Sequence, residues 1–144
     1  MNVGFIGLGI MGAPMAGQLL AAGHKLFVNT RGQVPNEIAD GGAKVCTTGV
    51  AVATNSDIII IMVPDTPDVE KVLFGKDGVA SGLSKGKIVV DMSSISPIAT
   101  KDFAARVNAA GADYLERRYP AARWAQKRRP LPSWWAGRRR PLKR

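Results

Sequence analysis

A glycine-rich loop near the amino terminus is the first part of this sequence that could do chemistry. Its residues are Gly7-Leu8-Gly9-Ile10-Met11-Gly12, a G-x-G-x-x-G pattern between an apolar run and a helical pattern, the context in which it binds a dinucleotide. Gly7 permits a tight turn, Gly9 lets a pyrophosphate approach the backbone, and Gly12 lets the helix pack closely on the strand. The free N–H groups of a helix N-terminus attract the phosphates. The alternative is a glycine-rich β-turn-α junction without a ligand.

Three polar residues at the end of the second predicted strand bear on the choice of cofactor. An NAD site usually carries Asp or Glu about 20 residues after the glycine loop, where it binds the ribose 2′-hydroxyl. This chain has Asn29, Thr30 and Arg31 there, with no carboxylate. Thr30 can donate a hydrogen bond and Arg31 can pair with a 2′-phosphate, which favours NADP(H). Asn29 could still bind a ribose hydroxyl, so NAD(H) remains possible, and Arg31 could instead be a solvated surface residue.

Two later strand ends carry further candidates for contact with nicotinamide or substrate. Ligands of parallel sheets bind outside the carboxyl ends of the strands. Val63-Pro64-Asp65 follows a run of isoleucines, and Asp91-Met92-Ser93-Ser94 ends the next strand. The serine hydroxyls could contact a ligand or only satisfy turn backbone. No metal site is expected, because one cysteine and one histidine cannot form a structural zinc site.

The elements that must position these residues alternate between strand and helix patterns. This alternation predicts an α/β fold, a Rossmann-type doubly wound parallel sheet with right-handed crossovers. Four consecutive isoleucines at 58–61 are typical of a strand that is buried on both faces. Thr66-Pro67 and Ser96-Pro97 each predict a helix start with a cap followed by proline. We predict strands at 3–7, 25–29, 44–46, 57–63, 87–91 and 112–115, and helices at 12–22, 37–40, 50–54, from 66, and from 96 to 110.

Charge divides the chain into two unlike parts near Glu116. The whole chain has a formal net charge of +9, yet residues 1–115 hold 9 Lys and Arg against 10 Asp and Glu. Residues 116–144 hold 11 Lys and Arg with one acid, and all three tryptophans. We therefore predict one nucleotide-binding domain over 1–115 and a basic, disordered tail over 116–144.

Composition excludes some classes of protein. Hydrophobic residues make up 46% and charged residues 22% of the chain, as in soluble domains. No apolar run reaches the ~18 residues of a membrane span, so we expect no membrane association. The amino terminus enters an apolar strand without a basic leader, and a single cysteine cannot form an internal disulfide. Together these features favour a cytoplasmic protein.

Four long motifs of the first part of the chain form a specific pattern. They are G-F-I-G-L-G-I-M-G-A-P-M at 4–15, I-M-V-P-D-T-P at 61–67, V-L-F-G at 72–75 and D-M-S-S-I-S-P at 91–97. These motifs resemble those of the β-hydroxyacid dehydrogenases, the relatives of 3-hydroxyisobutyrate and 6-phosphogluconate dehydrogenases, and the resemblance runs without a gap over residues 1–115. The resemblance implies a Rossmann domain followed by a helical domain, in an enzyme that forms homo-oligomers. It also implies reversible hydride transfer between a nicotinamide cofactor and a short 3-hydroxy acid, here glycerate and tartronate semialdehyde.

The resemblance also implies a role for each matching residue. Residues Gly7 to Gly12 would hold the pyrophosphate, and Asn29 to Arg31 would meet the adenosine ribose. The nicotinamide side would be lined by Met62, Val63, Pro64, Asp65, Ser93, Ser94 and Ile95. No catalytic residue is assigned, because the family's lysine acid/base lies some fifty residues beyond the point where the resemblance ends.

The tail departs from the family pattern in a way that suggests a shifted reading frame. After a strand like Asp113-Tyr114-Leu115 the family continues D-A-P-V-S-G-G, whose Ser-Gly-Gly binds the substrate carboxylate. With codons chosen among the synonyms, the tail read from the last base of the Glu116 codon gives A-P-V-S-G-G-E-V-G-A-K-E-A-T-L-A-I-M-V. The bases that the amino acids fix agree with this reading throughout. The hypothesis is that one base was lost near the Glu116 codon.

Two other functions remain open at this point. The chain as printed could be a catalytically inert nucleotide-binding fragment, since the residues for chemistry lie beyond the resemblance. Less favoured is a nucleic-acid-binding protein, in which the basic tail neutralises phosphates and its tryptophans stack on bases.

Overall fold

A computed structural model describes residues 1–93 and 96–116. Over these residues the strands are β1 (Asn2–Ile6), β2 (Lys25–Asn29), β3 (Lys44–Val45), β4 (Ile58–Ile61), β5 (Ile88–Asp91) and β6 (Asp113–Glu116). The helices are α1 (Gly12–Ala21), α2 (Asn36–Asp40), α3 (Gly49–Asn55), α4 (Thr66–Phe74) and α5 (Pro97–Ala109), with a 3₁₀ helix at Val79–Gly82. The predicted alternation of strand and helix is confirmed.

All six strands form one parallel sheet in the order β3-β2-β1-β4-β5-β6. The register aligns the carboxyl ends of four strands, because Ile6 pairs with both Asn29 and Ile61, and Ile61 pairs with Asp91. The chain moves from β1 outward to β2 and β3, then returns to the other side of β1 for β4. Such a switch point opens a crevice at the carboxyl edge, and the doubly wound fold that was predicted is confirmed.

Helices cover both faces of the sheet, and the isoleucine run packs into two separate cores. Ile59 and Ile61 belong to the cluster with Val69, while Ile60 belongs to the opposite cluster with Met15. Successive side chains of a strand point to opposite faces, so a strand covered on both sides has no polar face. Each fully buried isoleucine stabilises the fold by about 1.5–3 kcal/mol relative to an exposed one.

The start of α4 differs from the sequence prediction. Thr66 was expected to cap this helix, but the N-cap is Asp65, whose carboxylate accepts a hydrogen bond from the Asp68 N–H at 3.3 Å. Both residue types are good caps, and Asp65 has the extended backbone that a cap requires. The Thr66 hydroxyl instead accepts from the Ser96 N–H at 3.2 Å, which connects the start of α4 to the start of α5.

A lysine links α3 to the sheet at the end where the strands begin. Lys87 lies just before β5, and its Nζ donates to the carbonyl oxygens of Ala53, Thr54 and Ser56 at 2.7, 3.3 and 2.6 Å. These carbonyls belong to the carboxyl end of α3, where a cation is favoured by the helix dipole. Lys87 is therefore a structural residue, on the edge of the sheet opposite the crevice.

Two further sequence predictions concern the tail and membrane association. The predicted basic tail lies outside the described residues beyond Glu116. Among the helices of the described ranges, none is long and apolar enough to cross a bilayer.

Candidate functional site

A cleft of about 830 Å³ lies at the carboxyl edge of the sheet, where β1, β2 and β4 end. This is within the usual size range of pockets for small molecules and cofactors. The predicted site residues that line it are Gly7, Leu8, Gly9, Ile10, Met11, Gly12, Asn29, Thr30, Arg31, Met62, Val63 and Pro64. The structure thus brings together the glycine loop, the polar end of β2 and the residues after β4.

The three glycines of the loop differ in how much space surrounds them. Gly7 has a φ of +99°, and a Cβ there would lie less than 3 Å from the carbonyl oxygen of Met62. A Cβ on Gly12 would lie equally close to the carbonyl oxygen of Gly7. At Gly9, by contrast, no described heavy atom lies within 4 Å of the Cβ position. Gly7 and Gly12 are therefore needed for packing, whereas Gly9 leaves open space beside the backbone.

The amino end of α1 carries no side chain that would neutralise it. In the described structure its N-cap residue, Met11, makes no side-chain hydrogen bond to the helix, and the first turn holds no acidic residue. The partial positive charge of the helix therefore remains available to an anion in the cleft. Together with the open space at Gly9, this arrangement fits the pyrophosphate of a dinucleotide.

The end of β2 is joined to the glycine loop by two hydrogen bonds. The Gly7 N–H donates to the Asn29 carbonyl oxygen at 3.0 Å, and the Leu8 N–H donates to the Thr30 hydroxyl at 3.3 Å. A hydroxyl that accepts in this way can still donate its own proton. The side-chain NH₂ of Asn29 donates to the Cys46 carbonyl oxygen at 2.8 Å. The side-chain carbonyl oxygen of Asn29 is therefore the atom able to accept from a ribose.

Arg31 forms an ion pair with Asp68, from the first turn of α4. The Arg31 side chain is 76% exposed, whereas that of Asp68 is 19% exposed. The hydrogen bond from Arg31 lowers the pKa of Asp68, so this carboxyl stays ionised at neutral pH. The pair connects the loop after β2 with α4, across one end of the cleft.

A buried network supports the other end of the cleft. Ser93 is 1% exposed, and its hydroxyl accepts a hydrogen bond from the Val63 N–H at 2.9 Å. The Ser93 N–H donates to one oxygen of Asp91 at 2.8 Å, and the Tyr114 hydroxyl donates to the other at 2.6 Å. The buried Ser93 thus fixes the backbone of Val63, which lines the cleft. Of the remaining predicted residues, Asp65 caps α4, and Ser94 and Ile95 lie outside the described residues.

Burial has a clear effect on the titration of this network. It raises the pKa of the Asp91 carboxyl above its ordinary value, against the opposing effect of the hydrogen bonds from Tyr114 and Ser93. Burial and the neighbouring Asp91 also raise the pKa of the Tyr114 hydroxyl. The tyrosine therefore stays protonated and acts as a hydrogen-bond donor.

The Asp91→Asn variant is expected to lose a pH dependence of stability. With a raised native pKa, the native Asp91 keeps its proton to higher pH than the unfolded chain does. Its contribution to stability is therefore full below the unfolded pKa of about 3.9 and decreases as pH rises through the native pKa. An amide does not titrate, so the free energy of unfolding of wild type minus that of the variant should decrease from pH 4 to pH 8. Urea titrations at several pH values measure this difference, and a constant or rising difference would contradict the assignment.

Sequence reasoning missed the wall of the cleft that faces the glycine loop. Apart from Ile6 and Met92, which belong to strand ends, the additional lining residues are Thr47, Thr48, Gly49, Asp68, Lys71, Val72, Lys76, Asp77 and Gly78. The segments around Gly49 and Asp77 meet through a hydrogen bond from the Val50 N–H to the Asp77 carbonyl oxygen at 2.9 Å. Only the helix cap at Thr48, which accepts from the Ala51 N–H, has a recognisable local signal.

The described ranges offer little for metal or thiol chemistry. They contain no group of three or more His, Cys, Asp or Glu side chains that could hold a metal ion. Burial raises the pKa of the Cys46 thiol, which disfavours the reactive thiolate. Cys46 contributes instead through its backbone carbonyl, which holds Asn29.

Comparisons with known proteins agree with this geometry. Residues 2–117 match the family model of the NAD-binding domain of 6-phosphogluconate dehydrogenase. The chain is 58% identical over 116 residues to 2-hydroxy-3-oxopropionate reductase of Escherichia coli, a match that covers 81% of this chain and 40% of that protein. The chain thus spans less than half the length of the curated relatives it matches.

Solved structures show the same domain. A 3-hydroxyisobutyrate dehydrogenase of Mycobacterium tuberculosis with L-serine superimposes with a TM-score of 0.73 at 25% identity, over 80% of this chain and 39% of that one. An imine reductase of Myxococcus stipitatus in complex with NADP⁺ superimposes with a TM-score of 0.75 at 26% identity, over 83% of this chain and 41% of that one.

Proposed function

The chain belongs to the β-hydroxyacid dehydrogenase family through its NAD-binding domain, and we propose that residues 1–115 are the cofactor-binding half of a reductase. The proposed reaction is hydride transfer between NADP(H) and a short 3-hydroxy acid, with glycerate and tartronate semialdehyde as the substrate pair. The substrate is proposed from the 58% identity to 2-hydroxy-3-oxopropionate reductase.

One observation carries this proposal: the glycine loop opens directly into the cleft at the switch point of the sheet. The open space at Gly9 and the uncapped amino end of α1 meet at the same place. A dinucleotide needs both, since its pyrophosphate must approach the backbone and carries two negative charges. The bound cofactor would supply the hydride.

We assign the parts of the cofactor to the parts of the cleft in the order of the strands. The residues from Gly7 to Gly12 hold the pyrophosphate, and Asn29, Thr30 and Arg31 contact the adenosine ribose. The residues after β4, from Met62 to Asp65, lie on the nicotinamide side with the segment from Ser93 to Ile95. In this assignment the side chains of Ser93 and Asp65 support the backbone, because the Ser93 hydroxyl accepts from the Val63 N–H and the Asp65 carboxylate caps α4.

We propose that Arg31 recognises the 2′-phosphate and gives the site its preference for NADPH. The end of β2 has no carboxylate to repel that phosphate, and Arg31 lines the cleft with an exposed side chain. A guanidinium binds a phosphate through paired, charge-assisted hydrogen bonds. NADH, which lacks the phosphate, would gain nothing from this contact.

The variant Arg31→Ala is expected to bind NADPH ~10–100-fold more weakly and NADH with nearly unchanged affinity, as hydrogen bonds to charged groups contribute about 1.5–3 kcal/mol. Isothermal titration of the 144-residue chain with each cofactor measures both affinities. Lys25→Ala is the matched control, because Lys25 is an exposed cation at the start of β2, whereas Arg31 follows the end of that strand. Equal weakening of both cofactors by Arg31→Ala would mean that Arg31 supports the loop rather than the phosphate. If the wild type binds neither cofactor, the proposed function is wrong.

A further inference from the structure

The ion pair between Arg31 and Asp68 places a carboxylate of the protein on the side chain that would read the cofactor phosphate. The two residues are 37 positions apart in sequence and both line the cleft. Asp68 lies in the first turn of α4, while Arg31 follows β2. Two walls of the cleft are thus connected through the guanidinium.

A carboxylate and a phosphate bind a guanidinium through the same N–H donors. Asp68 is ionised at neutral pH, because the hydrogen bond from Arg31 lowers its pKa. Its side chain is largely covered, whereas that of Arg31 is mostly exposed to solvent. An arriving phosphate would therefore have to draw Arg31 away from a fixed anion or share the guanidinium with it at close range. Both routes cost binding energy that a ligand without the phosphate does not lose.

The surroundings of Asp68 make such a release feasible. Lys71 lies three residues further along α4 and lines the same cleft, so it is a cation on the same helix that could offset the charge of Asp68 when Arg31 leaves. Residues three apart on a helix are surface neighbours. An ion pair whose cation is mostly exposed to solvent is weak, so it can bias a binding equilibrium without preventing binding.

We propose that Asp68 is a specificity-determining residue that competes with the 2′-phosphate for Arg31 and thereby lowers the preference for NADPH over NADH. This inference rests on the proposed function, since it requires a dinucleotide in the cleft. In addition, it assigns the preference between NADPH and NADH to two residues of opposite charge. Arg31 favours binding of the 2′-phosphate, and Asp68 disfavours it.

The test is the variant Asp68→Asn in the full 144-residue chain, titrated separately with NADPH and NADH. We expect NADPH to bind ~2–10-fold more tightly than to the wild type, and NADH to change by less than about twofold. The control is Glu70→Gln, which removes a negative charge from the same helix. Glu70 pairs with Arg106 at 3.6 Å, not with Arg31. This control should leave both affinities unchanged. Circular dichroism melts establish that each variant is folded.

A double-mutant cycle separates competition for Arg31 from a general charge effect. In the Arg31→Ala background, Asp68→Asn should change NADPH affinity much less than it does alone, because the shared partner is gone. If Asp68→Asn weakens NADPH binding, then Asp68 positions Arg31 for the phosphate and the inference is overturned. An equal gain for both cofactors, or the same gain without Arg31, would overturn it as well. Binding of neither cofactor to the wild type would overturn the proposed function, and this inference with it.

Discussion

Replacing Gly9 by alanine is expected to weaken dinucleotide binding while leaving the fold intact, whereas the same change at Gly12 is expected to destabilise the fold. A methyl group on Gly9 meets no described atom within 4 Å, so the free chain accommodates it. The same methyl group would occupy the space through which the pyrophosphate approaches the backbone. A methyl group on Gly12 would collide with the backbone carbonyl of Gly7, which α1 and β1 can relieve only by moving apart.

The expected magnitudes separate the two variants clearly. Overpacking by a single group costs about 1–3 kcal/mol. At Gly9 this cost falls on the complex, so NADPH affinity should decrease by roughly 10–100-fold. At Gly12 this cost lowers the free energy of unfolding. Because the clash is with backbone, we expect that free energy to decrease by about 3 kcal/mol or more. This is a large part of the ~5–15 kcal/mol stability of a small domain. Urea unfolding and cofactor titration of both variants provide the measurements.

Gly17→Ala is the matched control for both variants. Gly17 lies inside α1, and a Cβ there would have ordinary contact with Ile38 at 3.8 Å. Alanine in a helix interior is about 1 kcal/mol better than glycine, so this variant should be slightly more stable and bind normally. If Gly9→Ala binds NADPH as the wild type does, the pyrophosphate does not lie against Gly9, and the placement of the cofactor is wrong.

The sheet could be predicted from the sequence because its signals are local. Four isoleucines in a row have no polar face, so they indicate a strand covered on both sides, and β4 is such a strand. The glycine loop was recognisable because its spacing has a mechanical reason at each glycine. Gly12, for example, lies where a Cβ would collide with the loop itself.

The opposite wall of the cleft could not be predicted, because its parts meet only through the folded sheet. Gly49 and Asp77 come together from different crossovers, and neither carries a motif. The partner of Arg31 was missed for the same reason, because the helix dipole favours an acidic residue such as Asp68 in the first turn of α4 whether or not it has a distant partner. The error at Thr66 has a different origin: Asp65 and Thr66 are both good caps, and their order alone does not show which one has the extended backbone.

The 144-residue chain is expected to show no measurable reduction of tartronate semialdehyde, even with NADPH bound. Hydride transfer to a carbonyl needs a positioned acid to protonate the oxygen, a contribution of ~10²–10⁴-fold, and orientation of the substrate adds more. Lys85, Lys87 and Lys101 do not meet this need. Lys87 is held by three carbonyl oxygens at the opposite edge of the sheet, and Lys85 and Lys101 match no catalytic position of the family.

In the family that this chain resembles, Ser-Gly-Gly binds the substrate carboxylate, and the other reading frame of the tail encodes it; the family's catalytic lysine would lie further downstream in that frame. The match to the family model extends over residues 2–117, and the last described strand, β6, ends at Glu116. We propose that one base was lost near the Glu116 codon, so that Ser-Gly-Gly and the following strand are encoded out of frame. A gene with one base inserted there, expressed with its downstream DNA, should therefore gain reductase activity over the chain as printed.

Two measurements decide this prediction. The first is the oxidation of NADPH at 340 nm by the purified 144-residue chain and by the frame-restored product, with tartronate semialdehyde as substrate. Turnover of a few per second by the 144-residue chain would show that its own residues supply the acid, and the predicted loss would be wrong. The second is resequencing of the source DNA. If every base of the tail is confirmed there, the residues after Glu116 are a genuine product, and a salt-dependent nucleic-acid binding assay then tests whether their eleven basic side chains bind phosphates.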